Sequence, residues 1–160
     1  WAPPSYGEFA VPHLEERLRQ LTEDGHQVIL SAHSQGTVLS MAALAVLDAE
    51  SAGRIRLLTH GCPLDRLYAR YFPEYFDAEL FGEVMSKLAS PSPWRNLYRS
   101  TDYIGSTVFG GTGDDVMVID PEEADPVLSM DPRPNPLRHS NYYAARAYGE
   151  SLSEFAGLTR

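Results

Sequence analysis

The sequence has one cysteine, Cys62, which excludes an internal disulfide and any metal site built on several thiolates. A lone thiol is compatible with a reducing compartment and favours the cytoplasm. Positive charge is scarce: 13 basic residues stand against 22 acidic ones, a formal charge of −9. That balance argues against nucleic acid or an anionic membrane surface as partner. No run approaches the ~18 apolar residues of a membrane-spanning helix, so no transmembrane segment is expected. There is no internal repeat. There is neither an initiator methionine nor a signal-peptide pattern at Trp1, so the chain reads as a portion of a longer protein. The glycine-rich stretch Gly105 to Gly113 (GSTVFGGTG) has no lysine and no following helix to receive a phosphate. The acidic stretch Asp114 to Asp125 lacks the spacing of a calcium loop and reads as solvated. Neither a cofactor nor a metal is expected.

What is present is enough for one domain with a core: 160 residues, 43% of them hydrophobic. After a Pro-rich lead-in (Trp1 to Gly7), Phe9, Leu14, Leu18 and Leu21 mark one helical face ending at Gly25. Pro12 suits the first turn of that helix, with Glu15 and Glu16 near its positive end. Four segments read as strands: Gln27 to Ser31, the apolar run Ile55 to Thr59, Trp94 to Arg99 and a short one from Val116 to Ile119. Between them, Thr37 to Leu47 and Glu74 to Leu88 carry apolar residues at helical spacing. The stripe in the second, with Tyr75, Phe76, Leu80, Phe81, Val84, Met85 and Leu88, reads as core packing rather than a lid. Three prolines make Asp131 to Leu137 a rigid loop, and a last helix runs from about Asn141. Strands alternating with helices imply an α/β fold with a mostly parallel sheet.

The junction of the first strand and its helix carries the chemistry. In Val28 to Ser40 (VILSAHSQGTVLS) the period switches from strand to helix at Ser34, with small residues two before and two after, Ala32 and Gly36. A serine at such a corner sits in a strained backbone conformation, its hydroxyl exposed, while the small neighbours let strand and helix converge. Ala32-His33-Ser34-Gln35-Gly36 departs from the usual G-x-S-x-G only by alanine in the first small position.

On these residues the chain resembles the α/β-hydrolase superfamily, and more loosely its lipase-like and esterase-like members. The resemblance runs from about Gln27 to the end. It implies Ser34 as nucleophile, the Gln35 N–H as one oxyanion-hole donor, and an acid and a histidine following in that order. Asp102, in the loop after the third strand, fits the acid position of that family; Asp65, after the second strand, is the competing candidate. Of five histidines, His13 and His26 precede the serine, His33 occupies the variable position beside it, and His60 ends the second strand as a packed neighbour. His139, late in the chain and before the last helix, matches the family's catalytic base. The expected function is hydrolysis of a carboxylic ester, thioester or lipid through Ser34, His139 and Asp102; the alternative is a hydrolase-fold domain that binds without turnover.

The resemblance also implies a truncated fold, because the family's first strands, one of which gives the second oxyanion donor, have no counterpart before Trp1. The strand at Val28, Ile29 and Leu30 is therefore expected at a sheet edge, or covered by an upstream segment or a second copy.

Overall fold

In a computed structural model, residues 6–91, 93–108, 110, 114–120 and 138–158 are described. The chain order is helix α1 (Tyr6–Glu23), strand β1 (Val28–His33), α2 (Gln35–Val46), α3 (Ala49–Ala52), β2 (Ile55–His60), α4 (Ala78–Lys87), β3 (Trp94–Tyr98), β4 (Asp115–Met117) and α5 (Arg146–Phe155). A π-helical turn, Leu64–Ala69, follows β2, and a 3-10 turn, Tyr142–Ala144, precedes α5. The Pro-rich stretch 131–137 and the acidic stretch beyond Asp120 lie outside the described residues.

The four strands form one parallel sheet in the order β1-β2-β3-β4. Val28 pairs with Ile55 and His33 with His60, Leu57 with Trp94, and Asn96 with Asp115. β2 is buried at every position but Arg56, with helices packed on both of its sides. Ile55 and Leu57 enter one core with Leu18 of α1, Met41 and Leu44 of α2, Val84 of α4 and Trp94. Leu58 enters the other, with Leu97, Val118, Tyr142 and Phe155 of α5. Helices thus cover both faces, and the α/β expectation holds. Among the described residues β1 pairs with β2 alone, so the strand leading to Ser34 is at a sheet edge, as expected. No described helix is long and apolar enough to cross a membrane.

Several boundaries differ from the sequence reading. α1 starts at Tyr6, so Pro12 lies inside it rather than in its first turn, at the cost of one main-chain hydrogen bond. Glu15 and Glu16 do not serve the helix's positive end; they ion-pair with Arg19 at 3.0 and 2.8 Å. The helix stops where expected: Gly25, at φ +84°, closes it by donating to the Thr22 carbonyl while His26 donates to Leu21. α4 begins at Ala78, not Glu74, because Asp77 caps it by accepting from Leu80 N–H at 2.8 Å. Its apolar stripe packs on the first core, with Val84 buried and Leu80, Phe81 and Met85 partly so. β4 is shifted to Asp115–Met117, and the last helix starts at Arg146 rather than Asn141, which has left-handed φ and no capping bond.

Candidate active site

Ser34 stands where β1 ends and α2 begins, at φ 54° and ψ −125°. Such a backbone costs a non-glycine residue on the order of 1–3 kcal/mol and persists only where its surroundings hold it. The holding bonds come from β2 and from α2: Ser34 N–H donates to the His60 carbonyl at 3.2 Å, and Thr37 donates to the Ser34 carbonyl from both N–H (2.9 Å) and hydroxyl (2.7 Å). Ser34 is the N-cap of α2, yet its hydroxyl makes no capping bond. That leaves Oγ available. The tolerance at Gly36 is wider than the spacing of small residues implies, since a Cβ there would meet Ala32 Cβ at 4.0 Å, an ordinary contact.

Ser34 Oγ lies 2.8 Å from His139 Nε2, and His139 Nδ1 lies 3.0 and 3.1 Å from the Asp102 oxygens. Asp102 is 1% exposed. Burial alone would raise its pKa, but N–H donors from Gly105 and Ile104, the His139 ring and the Tyr142 hydroxyl together hold it below the usual carboxylate value. An ionised carboxylate only accepts, so His139 carries its proton on Nδ1 and offers the Nε2 lone pair to Ser34. Gln35 opens α2, and its N–H is among the donors that a helix start leaves without an intrahelical partner.

The structure brings together Ser34, His139 and Asp102 and leaves out Asp65, which is exposed at the start of the π-helical turn. The loops meet at the carboxyl ends of β1 and β3, where open parallel sheets carry their sites. Two glycines make the approach possible. Gly61, at φ +57°, would place a Cβ 3.0 Å from both His139 Cε1 and His33 Nε2, and a Cβ on Gly105 would fall 2.6 Å from Asp102 Oδ2.

His33 does not reach Ser34, in keeping with the variable position, but it is not idle. Its Nε2–H donates to the His139 carbonyl at 2.7 Å, and its ring packs 4.8 Å from His139 and 5.1 Å from His60. His60 is the buried neighbour expected, with Nδ1 lacking a hydrogen-bond partner. Burial, and then the positive potential of His33, Arg99 and His139, push its pKa down to about 4. His13 and His26 are exposed and remote in sequence order.

Sequence reasoning missed Tyr142, Arg99 and Asp120. Tyr142 donates its hydroxyl proton to Asp102 Oδ2 at 2.9 Å while accepting from Arg99 N–H at 2.9 Å. Burial and the Asp102 charge raise the phenol's pKa, keeping it a donor. Asp120 is not solvated, as its acidic stretch implied: it is 1% exposed, takes the Thr101 hydroxyl and ion-pairs with Arg99 at 3.2 Å. Asp115 likewise turns inward, accepting from Asn96 Nδ2 at 2.7 Å and Val108 N–H at 2.9 Å. The only hint in the sequence is an arginine closing an otherwise buried strand, a residue that needs a carboxylate if it stays inside.

No family model, curated protein or solved structure matches the chain.

Proposed function

We propose that the chain is a serine hydrolase with an α/β-hydrolase-like site, cleaving a carboxylic ester or thioester through an acyl-enzyme. One observation carries this reading: the continuous relay from Ser34 Oγ through His139 to a buried, ionised Asp102, at 2.8 and 3.0 Å, starting from a serine with positive φ. A structural serine has no need of that strain, nor of an imidazole poised to accept its proton.

The steps follow from the tautomer. Ser34 Oγ attacks the carbonyl carbon as its proton passes to His139 Nε2, and Asp102 offsets the imidazolium. The Gln35 N–H, free of an intrahelical partner, is the donor assigned to the developing oxyanion; one such donor is typically worth ~10²–10³ in rate. Collapse of the tetrahedral intermediate breaks the bond to the alkoxide or thiolate, which leaves with the proton from Nε2. Water then attacks the acyl group, gives its proton to Nε2, and the acid departs as Ser34 Oγ recovers it.

An apolar acyl or alkyl group is favoured by the segment leaving the carboxyl end of β2. It exposes Leu67, Tyr71, Phe72 and Tyr75, and Arg66 of the same segment donates to the Asp102 carbonyl at 2.7 Å. The open edge of β1 is where a further strand, from a second copy or another segment, would add. The test is hydrolysis of short and medium-chain p-nitrophenyl esters. Turnover that disappears in both Ser34→Ala and His139→Ala supports the reading; equal turnover in either variant refutes it, and a domain kept for binding alone would show none.

A further inference from the structure

His139 sits in a segment that no strand or long helix organises. Its neighbours Arg138 and Asn141 have φ of +49° and +57°, a left-handed conformation that non-glycine residues rarely hold unaided. What holds it is a row of side-chain donors. Arg99 donates to the carbonyls of Arg138 (3.1 Å), Ser140 and Asn141 (3.4 Å), and His33 takes the His139 carbonyl between them. Asn141 also accepts from Ala144 N–H at 3.2 Å. Four consecutive carbonyls are therefore tied by two side chains, three of them by one guanidinium. That guanidinium is itself fixed by the Asp120 ion pair and lies 4.2 Å over the Tyr142 ring, whose hydroxyl holds Asp102.

We propose that Arg99, seated by Asp120, is the positioning residue that sets His139 in register with both Ser34 and Asp102; this rests on the serine-hydrolase reading above. Arg99 touches neither the serine nor the imidazole. It acts through the backbone of residues 138–141 on one side and through Tyr142 on the other. A lysine cannot replace it, because one ammonium on a flexible stem cannot span three carbonyls that a planar fork reaches together. Without the guanidinium, Asp102 keeps its bonds from Ile104 and Gly105 N–H, at 2.9 and 2.8 Å, so the acid stays in place while the base drifts.

The experiment compares wild type, Arg99→Ala, Arg99→Lys and Asp120→Asn, each checked for folding by circular dichroism and a melt. A fluorophosphonate supplies the labelling rate, a p-nitrophenyl ester kcat and KM, and the imidazole nitrogen chemical shifts of His139 its tautomer. Expected are a fixed Nδ1–H tautomer in wild type and an averaged one in Arg99→Ala. Labelling and kcat should fall by on the order of 10²-fold, the cost of misplacing a catalytic group by about an ångström, with KM little changed. Guanidinium ion, added below unfolding concentrations, should restore part of the rate. Should Arg99→Ala not fold, Asp120→Asn is read instead, with a smaller fall in the same direction. A folded variant that keeps the wild-type tautomer and rate overturns the proposal, as does an averaged tautomer in wild type. If wild type is not labelled, the hydrolase reading fails on its own; a tautomer fixed in wild type and lost in the variant still upholds the positioning role.

Discussion

Replacing Gly61 by alanine adds one methyl group where the site has no room for it. The new Cβ would lie 3.0 Å from His139 Cε1, 3.1 Å from His139 Nδ1 and 3.0 Å from His33 Nε2. Comfortable carbon contacts are about 3.5–4.0 Å, so His139 must retreat by roughly half an ångström or more. It cannot retreat and keep its bonds, because Ser34 lies 2.8 Å beyond one ring nitrogen and Asp102 3.0 Å beyond the other. The backbone adds its own term: at φ +57° an alanine is disfavoured by about 1–2 kcal/mol. Stability should therefore drop by about that amount in a urea melt. Since misplacing a reacting group by about 1 Å can cost 10²-fold, fluorophosphonate labelling should slow by roughly ten- to a hundredfold. A folded Gly61→Ala variant labelled within about twofold of wild type would refute the reasoning, because it would mean that the imidazole does not occupy that place.

Asp102→Asn should lower kcat by on the order of 10⁴, as the equivalent change does in the serine-protease template, while exposed Asp65→Asn should leave it near wild type; steady-state kinetics with the opposite ranking would move the acid to the loop after β2. His60 has its pKa lowered from 6.5 to about 4 by burial, so between those values the unfolded chain binds the proton that the folded chain refuses. Stability is thus fully present above about pH 6.5 and is lost as pH falls toward 4, by on the order of 2 kcal/mol after allowing for solvent screening. Urea midpoints across that window should decline in wild type and flatten in His60→Asn; parallel curves would contradict the assignment. Asp102 contributes in a separate window, below its ordinary value of 3.8, where protonation removes a carboxylate that four donors stabilise.

The sheet was legible because its strands are short runs set off by turn formers such as Gly25, Gly53 and Pro93. Ile55, Leu57 and Leu58 feed two cores from one strand, with Arg56 the one charged residue among them. The corner at Ser34 was legible because the period changes there and Thr37 bonds its carbonyl locally; the bond from its N–H to His60 on β2, far off in the sequence, was not. His139 and Asp102 could be placed only by chain order and resemblance; in the structure they lie 3.0 Å apart. What escaped is what depends on distant partners. Nothing in the composition of Asp114 to Asp125 distinguishes a solvated acid from Asp120, which is drawn inside by Arg99, or from Asp115, drawn inside by Asn96. The packing of His33 between His60 and His139 joins the ends of β1 and β2 to a loop far off in the sequence. Helix starts were displaced for local reasons that compete closely, as when Asp77 rather than Glu74 opens α4.

The central claim is that Ser34 is an activated nucleophile, and covalent labelling tests it most directly. A fluorophosphonate should lose fluoride as its phosphorus bonds to Ser34 Oγ, with the serine proton passing to His139. Intact mass should show a single adduct, peptide mapping should place it on Ser34, and Ser34→Ala and His139→Ala should both abolish it. A folded wild-type chain that stays unmodified, or is modified at another serine, would contradict the account.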